Sequence, residues 1–163
     1  MDTQWLSAEE RAAWVRLIAI VELLPGALDR QLREDSDLTH FEYFALAMLS
    51  EAPDRLLRMT ELAERTNATL PRLSHVVKRL EGRGLMERFP CAEDRRVTNV
   101  RLTRTGWERV VRVAPGHVEN VRRLVLDALT PEQIDQLHAI GDVLLTTLDP
   151  AKRLTGLYDP TES

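Results

Sequence analysis

The sequence predicts a mainly α-helical fold with one small β-hairpin. Apolar residues recur at helical spacing along most of the chain, three helix starts carry capping boxes, and strand-like alternation is confined to one region. The predicted order is four helices, two strands and two helices. With 163 residues, the chain has the length of one domain with additional arms.

Capping sequences define the helix starts in the first half of the chain. SAEE at 7–10 predicts a helix that keeps helical character to about residue 34, while the Pro-Gly pair at 25–26 either kinks or ends it. THFE at 39–42 opens a second helix that is almost wholly apolar and therefore buried. Thr60 is expected to cap a third, short helix.

Two short helices joined by a tight turn at 66–68 are typical of a helix-turn-helix, in which the second helix enters the major groove of DNA. Leu62 and Ala63 face inward in the first helix, and Thr69 is placed to cap the second. The second helix carries one apolar stripe, formed by Leu70, Leu73, Val76, Val77 and Leu80. An ordinary helical hairpin with a solvated basic face would show the same local pattern.

The start and polar face of that second helix supply candidate DNA contacts, which are Thr69, Pro71, Arg72, Ser74, His75, Lys78 and Arg79. Hydroxyl groups here can bond bases or phosphates, whereas Arg72 and His75 suit base-edge acceptors. Lys78, Arg79 and Arg83 lie further along and suit phosphates, which position a protein without reading sequence.

Two strand-like segments, LMERFP and VTNVRLT, are separated by CAEDRR and predict the β-hairpin. Thr103 then starts a long helix that runs to about residue 128, with a bend expected at Pro115-Gly116. A third capping box at 130–133 starts the last helix, which ends near residue 148.

A helix-turn-helix followed by such a hairpin is a winged helix, whose hairpin tip lies along the DNA backbone. Arg95 and Arg96 stand at that tip, and an arginine suits a narrow, electronegative minor groove. Asp94 is positioned to hold the Arg96 guanidinium in a bidentate pair that orients it. Taken alone, the same two residues are consistent with a surface ion pair of little energetic value.

Charge is distributed unevenly along the chain. Residues 65–109 hold eleven Lys and Arg against five Asp and Glu, a local net charge of +6, whereas the whole chain has a net charge of −4. The remainder has eleven basic and twenty-one acidic residues, a net charge of −10. A basic middle between acidic flanks indicates a surface that faces a polyanion; an uneven scatter of solvated charges is the alternative.

Composition limits the class of protein. The apolar and charged fractions, 44% and 29%, are those of a globular chain. No apolar run is long enough to predict a transmembrane helix, and the acidic N-terminus lacks the apolar region of a secretory signal. The single cysteine, Cys91, excludes an intramolecular disulfide and fits a reducing cytoplasm.

Three stretches resemble the MarR family of winged-helix transcriptional regulators: THFEYFALAML, LPRLSHVVKRLEGRGLMER and EDRRVTNVRLTRTG. The last fits that family's wing signature, an Asp-x-Arg followed by a strand ending in Leu-Thr and then a Gly. In this chain the signature residues are Asp94, Arg96, Leu102, Thr103 and Gly106. The resemblance covers roughly residues 8–148.

The resemblance implies a homodimer that sets two winged helices on a palindromic operator. It assigns 1–37 to an N-terminal dimerisation helix, 38–105 to the winged helix-turn-helix, and 106–163 to C-terminal dimerisation helices and a tail. The chain ends supply apolar residues that suit such an interface, namely Trp5, Trp14, Ile18, Leu137, Ile140, Leu144 and Leu148. Packing of these residues within one chain is the alternative.

The resemblance also implies a small anionic or phenolic effector, bound between the dimerisation and DNA-binding regions. Its pocket candidates are Trp14, His40, Phe44 and His117, and core packing is the alternative interpretation of each. Some relatives sense oxidants through a cysteine near the N-terminus, but Cys91 lies at the wing, so a redox switch is not expected. The histidines lack metal-site spacing, so neither a metal nor another cofactor is expected.

The predicted function is that of a cytoplasmic, sequence-specific DNA-binding regulator, a repressor in preference to an activator. Its predicted partners are double-stranded DNA, a second copy of the chain and the effector, with no membrane. A winged helix that mediates protein contacts without binding DNA is the alternative. An enzyme is not expected, because the sequence has no Gly-rich phosphate loop, serine elbow or HExxH, and no carboxylate pair in a convincing frame.

Overall fold

The structure is a computed structural model that describes residues 3–154, so positions 1–2 and 155–163 of the predicted terminal regions lie outside the described residues. The predicted mainly α-helical class with a small β-hairpin is confirmed. Short 3-10 turns cover Pro53–Arg55 and Leu126–Ala128. The helices and strands are α1 (Ala8–Ser36), α2 (His40–Glu51), β1 (Leu56–Arg58), α3 (Met59–Arg65), α4 (Leu70–Gly82), β2 (Met86–Pro90), β3 (Thr98–Leu102), α5 (Arg104–Leu124) and α6 (Pro131–Leu148).

Helix α1 runs unbroken past Pro25, so the alternative in which the proline ends the helix is wrong. A proline inside a helix removes one backbone hydrogen bond, and the remaining ladder carries α1 on to Ser36. Ser7 and Glu10 form the predicted capping box at its start. Asp37 ends the helix in the left-handed conformation, with a φ of 54°.

The sheet has a third strand that the sequence does not predict. β1 pairs antiparallel with β3, with Leu57 opposite Val100, and the strand order is β1-β3-β2. The expectation that Thr60 caps α3 is also wrong. Arg58, the last residue of β1, is the N-cap instead, and its N–H donates to Glu61 Oε2 at 2.9 Å.

The core lies between α2, the helix-turn-helix pair and the sheet. Leu62 and Ala63 of α3 are buried, as predicted. The predicted apolar stripe of α4 is also buried except at Leu70, which stands in the first turn and is exposed. Its fully buried side chains include Leu46, Leu49, Leu73, Leu80 and Val100.

The C-terminal helices begin where their caps predict. Thr103 Oγ1 accepts from the Gly106 N–H at 2.9 Å at the start of α5, which passes through Pro115 and ends at Leu124, four residues before the predicted end. Thr130 opens α6 in a capping box. Within residues 3–154, no helix has both the length and the apolar content needed to cross a membrane.

Candidate nucleic-acid interface

The local sequence fixes where the second helix of the helix-turn-helix begins. Thr69 Oγ1 accepts a hydrogen bond from the Arg72 N–H at 3.4 Å, and Pro71 occupies the first turn, where its missing N–H has no intrahelical partner to lose. The preceding turn reverses at Asn67, whose φ of 49° is a conformation that asparagine tolerates better than most residues.

Helix α4 presents a polar surface, which we call the α4 face. Six of its seven predicted contact residues are exposed, namely Thr69, Pro71, Arg72, His75, Lys78 and Arg79, while Ser74 is partly buried. The Arg72 guanidinium lies 4.2 Å from the centre of the Phe41 ring, and this cation–π contact holds the side chain near the helix start.

The side chains of Ser74, Arg79 and Arg83 form hydrogen bonds to other elements of the chain. Arg79 donates from Nη2 to Glu42, a buried carboxylate in the first turn of α2. Ser74 Oγ accepts from Arg88 Nη1 at 3.2 Å. Arg83, one helical turn beyond Arg79, donates to the Asp37 carbonyl at 2.8 Å. These three residues therefore fix α4 within the fold, whatever else they bind.

The loop between β2 and β3 forms a wing tip over residues 91–97. Cys91 N–H donates to the Val97 carbonyl at 2.8 Å, and Val97 N–H donates to the Asp94 carbonyl at 2.9 Å, which closes the loop. The predicted bidentate pair is confirmed: Arg96 Nε and Nη2 each lie 3.1 Å from one oxygen of Asp94.

That pair orients the Arg96 side chain without burying it. The Arg96 backbone N–H also donates to Asp94 Oδ1 at 3.0 Å, so one carboxylate receives three hydrogen bonds from a single residue. These bonds, led by those from the side chain, lower the pKa of Asp94. The Arg96 side chain remains 91% exposed, and its charge is therefore available to a ligand outside the chain.

The base of the wing is fastened to α5 by the Leu-Thr-x-x-Gly segment of the signature. Thr103 Oγ1 donates to the Gly84 carbonyl at 2.7 Å, and the Thr103 N–H donates to the Leu85 carbonyl at 3.2 Å. Gly106 passes close to the same loop, and a Cβ at that position would lie 2.1 Å from the Leu85 oxygen. Only glycine fits there, so the signature glycine has a packing role.

Most basic side chains of the 65–109 segment form ion pairs within the chain. Ion pairs to Asp or Glu engage six of its eleven Lys and Arg residues. Among the described residues, the five without such a pair include Arg72 and Lys78 of the α4 face and Arg95 of the wing tip. Uncompensated positive charge is therefore present on both elements that a winged helix presents to DNA.

Three of the four effector-pocket candidates lie together between α2 and α5. The His40 and Phe44 rings stack at 6.4 Å, and the His117 ring lies 6.4 Å from His40 and 4.7 Å from Tyr43. His117 Nδ1 is buried and has no hydrogen-bond partner among the described residues. Trp14 is not part of this group.

Helix geometry separates Trp14 from that cluster within one chain. Asp29 Oδ1 accepts from the His40 N–H at 2.8 Å, so this end of α1 lies at the cluster. Trp14 is fifteen residues earlier on the same helix, roughly 22 Å away at 1.5 Å per residue. A cleft of about 600 Å³ lies between α1 and α5, and its lining ends at Gly116, the residue before His117. Basic and acidic side chains line it together, among them Arg109, Arg112, Glu34, Asp35 and Asp37.

The two ends of the chain leave large apolar side chains uncovered. No described residue of α6 is buried, and its exposed side chains Leu137, Ile140, Leu144 and Leu148 follow helical spacing. On α1, exposed apolar residues occur on all sides of the helix between residues 14 and 23. The alternative in which these residues pack within one chain is wrong for the predicted set Trp5, Trp14, Ile18, Leu137, Ile140, Leu144 and Leu148.

Sequence reasoning did not identify the partners that hold the interface together. Glu42 has a local signal only as the acid of a capping box, and its contact with Arg79 spans 37 positions. Arg88 and Glu81 lie in different elements, and no periodic pattern joins them. These contacts depend on the packing of α4 against α2 and β2.

Comparisons with known proteins identify a family. The family model named MarR matches residues 38–98. A MarR family transcriptional regulator from Streptomyces coelicolor, Sco3205, solved in complex with DNA, is 44% identical with a TM-score of 0.87, and the match covers 93% of this chain and 94% of that one.

Two further relatives agree. AbsC, a MarR family transcriptional regulator from Streptomyces coelicolor, is 36% identical with a TM-score of 0.79. The match covers 94% of this chain and 99% of that one. The HTH-type transcriptional repressor YetL of Bacillus subtilis (strain 168) is 29% identical, and its match spans 65% of this chain and 64% of that protein.

Proposed function

The chain belongs to the MarR family of transcriptional regulators, and we propose that it is a repressor that binds a palindromic operator as a homodimer. Arg72 and Lys78 of the α4 face and Arg95 of the wing tip carry this proposal, because their charges have no acidic partner in the described chain and lie on the two elements that a winged helix presents to DNA. The similarity to a relative solved with DNA supports it. We propose that the protein is cytoplasmic, because the operator DNA that it is proposed to bind lies in that compartment.

The residues divide into those that read bases and those that position the protein. Arg72 and His75, near the start of α4, are proposed to reach base edges in the major groove, with Thr69, Pro71 and Ser74 beside them. Lys78 is proposed to meet a phosphate, as is the exposed part of Arg79, while Glu42 holds the rest of that side chain.

The wing is proposed to act in the minor groove. Arg96 extends from its pair with Asp94 into solvent, and Arg95 adds a second positive charge at the same tip. An arginine held in one direction loses less conformational entropy on binding than a free one. Asp94 is therefore proposed to orient Arg96 and not to contact DNA itself.

A homodimer is proposed from the exposed apolar surface of α1 and α6. A helix that is apolar on all sides is normally enclosed by other elements, and nothing in the described part of the chain encloses α1 between residues 14 and 23. We propose that 1–37 and 106–163 pair with their copies and that 38–105 binds DNA. The two α4 helices would then lie about 34 Å apart, one turn of DNA.

Selection of bound duplexes from a random library by the purified full chain tests this function. We expect enrichment of an inverted repeat whose half-site centres are about one helical turn apart. In a second round, Arg72→Ala and His75→Ala should relax preference at particular base positions, each at about 1–3 kcal/mol. The wild-type chain could instead enrich no sequence and retain no duplex at low salt. That result would contradict DNA binding and favour the alternative, a winged helix that mediates protein contacts.

An effector is proposed at the cluster of His40, Phe44 and His117. The unpartnered His117 Nδ1 offers a polar contact within an otherwise aromatic cluster, which suits a small anionic or phenolic compound. The cleft between α1 and α5 adds Arg109 and Arg112, with Glu34, Asp35 and Asp37 in the same lining. Trp14 could join such a site only from a second copy of the chain. Titration with 4-hydroxybenzoate, followed by release of bound duplex, tests this; His117→Gln should weaken the response.

A further inference from the structure

Arg88 connects the wing to the recognition helix. It stands on β2, and its backbone N–H donates to Glu81 Oε1 at 2.7 Å near the end of α4. Its side chain turns to the same carboxylate, with Nε at 2.8 Å and Nη2 at 2.6 Å from Glu81 Oε2. Three hydrogen bonds therefore tie one wing strand to one helix.

The connection is partly shielded from water. The Arg88 and Glu81 side chains are each 27% exposed, and the side-chain bonds from Arg88 lower the pKa of Glu81. This charge-assisted contact is more rigid than a surface pair, because one edge of the guanidinium is held by Glu81 Oε2 while the backbone N–H of the same arginine is held by Glu81 Oε1. The angle between β2 and α4 is therefore held by this contact.

The remaining nitrogen of Arg88 reaches the α4 face. Nη1 donates to Ser74 Oγ at 3.2 Å, two helical turns from Glu81 on the same side of α4. A serine hydroxyl has one proton to donate and lone pairs to accept. With a guanidinium against its oxygen, approach of a second positive donor is disfavoured, and the hydroxyl proton is directed elsewhere.

We propose that Arg88 is a positioning residue that couples the wing to α4 and holds Ser74 as a hydrogen-bond donor toward an acceptor atom of the DNA. This inference rests on the proposed DNA binding. It assigns Ser74 a preference: the hydroxyl faces a purine N7 or a phosphate oxygen and not a base amino group. It also gives Arg88 an effect on recognition without direct contact.

A double-mutant cycle tests the coupling. Ser74→Ala, Arg88→Gln and the double variant are measured on the duplex selected by the wild-type chain, and their unfolding by urea is measured in parallel. We expect each single change to weaken binding about tenfold per half-site, the size of one lost hydrogen bond to DNA. The double variant should bind about as weakly as either single variant.

Two further variants separate recognition from folding. Ser74→Thr keeps the hydroxyl and should retain nearly full affinity, whereas a role in packing alone would make it as harmful as Ser74→Ala. Arg101→Gln is the matched control, because Arg101 lies on β3 and pairs with Glu87, 3.3 Å away, on the neighbouring wing strand. It should leave the Ser74 effect unchanged.

Modified duplexes identify the acceptor. If replacing one purine by its 7-deaza analogue abolishes the loss of affinity caused by Ser74→Ala, the acceptor is the N7 of that base. If replacing one phosphate by a methylphosphonate abolishes that loss, the acceptor is a phosphate oxygen. Additive effects in the double-mutant cycle, or a Ser74→Ala variant that binds the selected duplex normally, would overturn the inference. A wild-type chain that binds no duplex at all would instead refute the proposed function.

Discussion

Arg79 of α4 donates a hydrogen bond to Glu42, whose side chain is only 5% exposed in the first turn of α2. The other oxygen of Glu42 accepts from the Thr39 N–H at 2.8 Å, which closes the capping box of that helix. One carboxylate thus serves the start of α2 and the position of α4. Its buried charge depends on Arg79 for compensation.

Arg79→Leu should therefore destabilise the fold as well as weaken DNA binding. Loss of the guanidinium leaves a buried carboxylate with one fewer partner, and we expect the free energy of unfolding to fall by about 1–3 kcal/mol. Urea unfolding at fixed protein concentration measures this. Lys78→Leu is the matched control: its exposed ammonium should change stability by less than about 0.5 kcal/mol while still weakening binding.

Arg96→Ala should weaken binding to all duplexes by a similar factor, because the wing tip anchors the protein without reading a unique base pattern in the minor groove. Fluorescence anisotropy on the selected duplex and on a scrambled one measures both affinities. Arg104→Ala is the control, since Arg104 is 92% exposed and equally paired, with Glu108, but lies beyond the opposite end of the hairpin. Equal losses in the two variants would contradict the wing assignment.

Ile140→Asp should convert the proposed dimer to monomer. Ile140 is 57% exposed on the apolar stripe of α6, and a carboxylate there would be desolvated in an interface between copies. Sedimentation equilibrium measures the mass. Ala139→Asp adds the same charge one residue away, roughly 100° around the helix from Ile140 and off the stripe of Leu137, Ile140, Leu144 and Leu148, and it should leave the dimer intact. A wild-type chain that sediments as a monomer would refute the dimer.

Stability should fall as the pH drops below about 6.5, the ordinary histidine value. Burial lowers the pKa of His117, and the neighbouring His40 lowers it further. Burial also lowers the pKa of His40, although the Asp29 carboxylate opposes that shift. The folded protein then binds protons more weakly than the unfolded chain, so its stability is full above the unfolded pKa and declines toward acid.

Urea unfolding across this pH range measures the decline. His117→Gln removes one titrating group and should flatten the dependence of the free energy of unfolding on pH, whatever its effect on absolute stability. The same replacement at His138, exposed on α6 beside Asp142, is the control. An unchanged slope in His117→Gln would show that the buried cluster does not respond to protons.

The parts of the fold that the sequence predicts are those with local causes. The capping boxes at Ser7, Thr39 and Thr130 need only four consecutive residues, and all three helices begin there. The Asp94–Arg96 pair spans two positions and is likewise local. The exposed apolar residues at the chain ends are predictable too, because their number exceeds what a small domain can cover.

The parts that escaped prediction depend on residues far apart in the chain. β1 is a strand because Leu57 meets Val100, and its three residues carry no pattern of their own. The contacts of Arg79 and Arg88 redefine two predicted DNA-contacting positions, Arg79 and Ser74, as residues with a second, structural attachment. Such contacts follow from packing that a single sequence does not display.

The most direct measurement of the central claim is the affinity of the wild-type chain for its selected duplex as a function of salt concentration. If the α4 face and the wing tip meet phosphates, the logarithm of the association constant should fall steeply and linearly with the logarithm of salt, with a slope of about −0.9 per phosphate contact. Lys78→Leu should make that slope shallower. Absence of binding at low salt, or binding that does not respond to salt, would contradict the account.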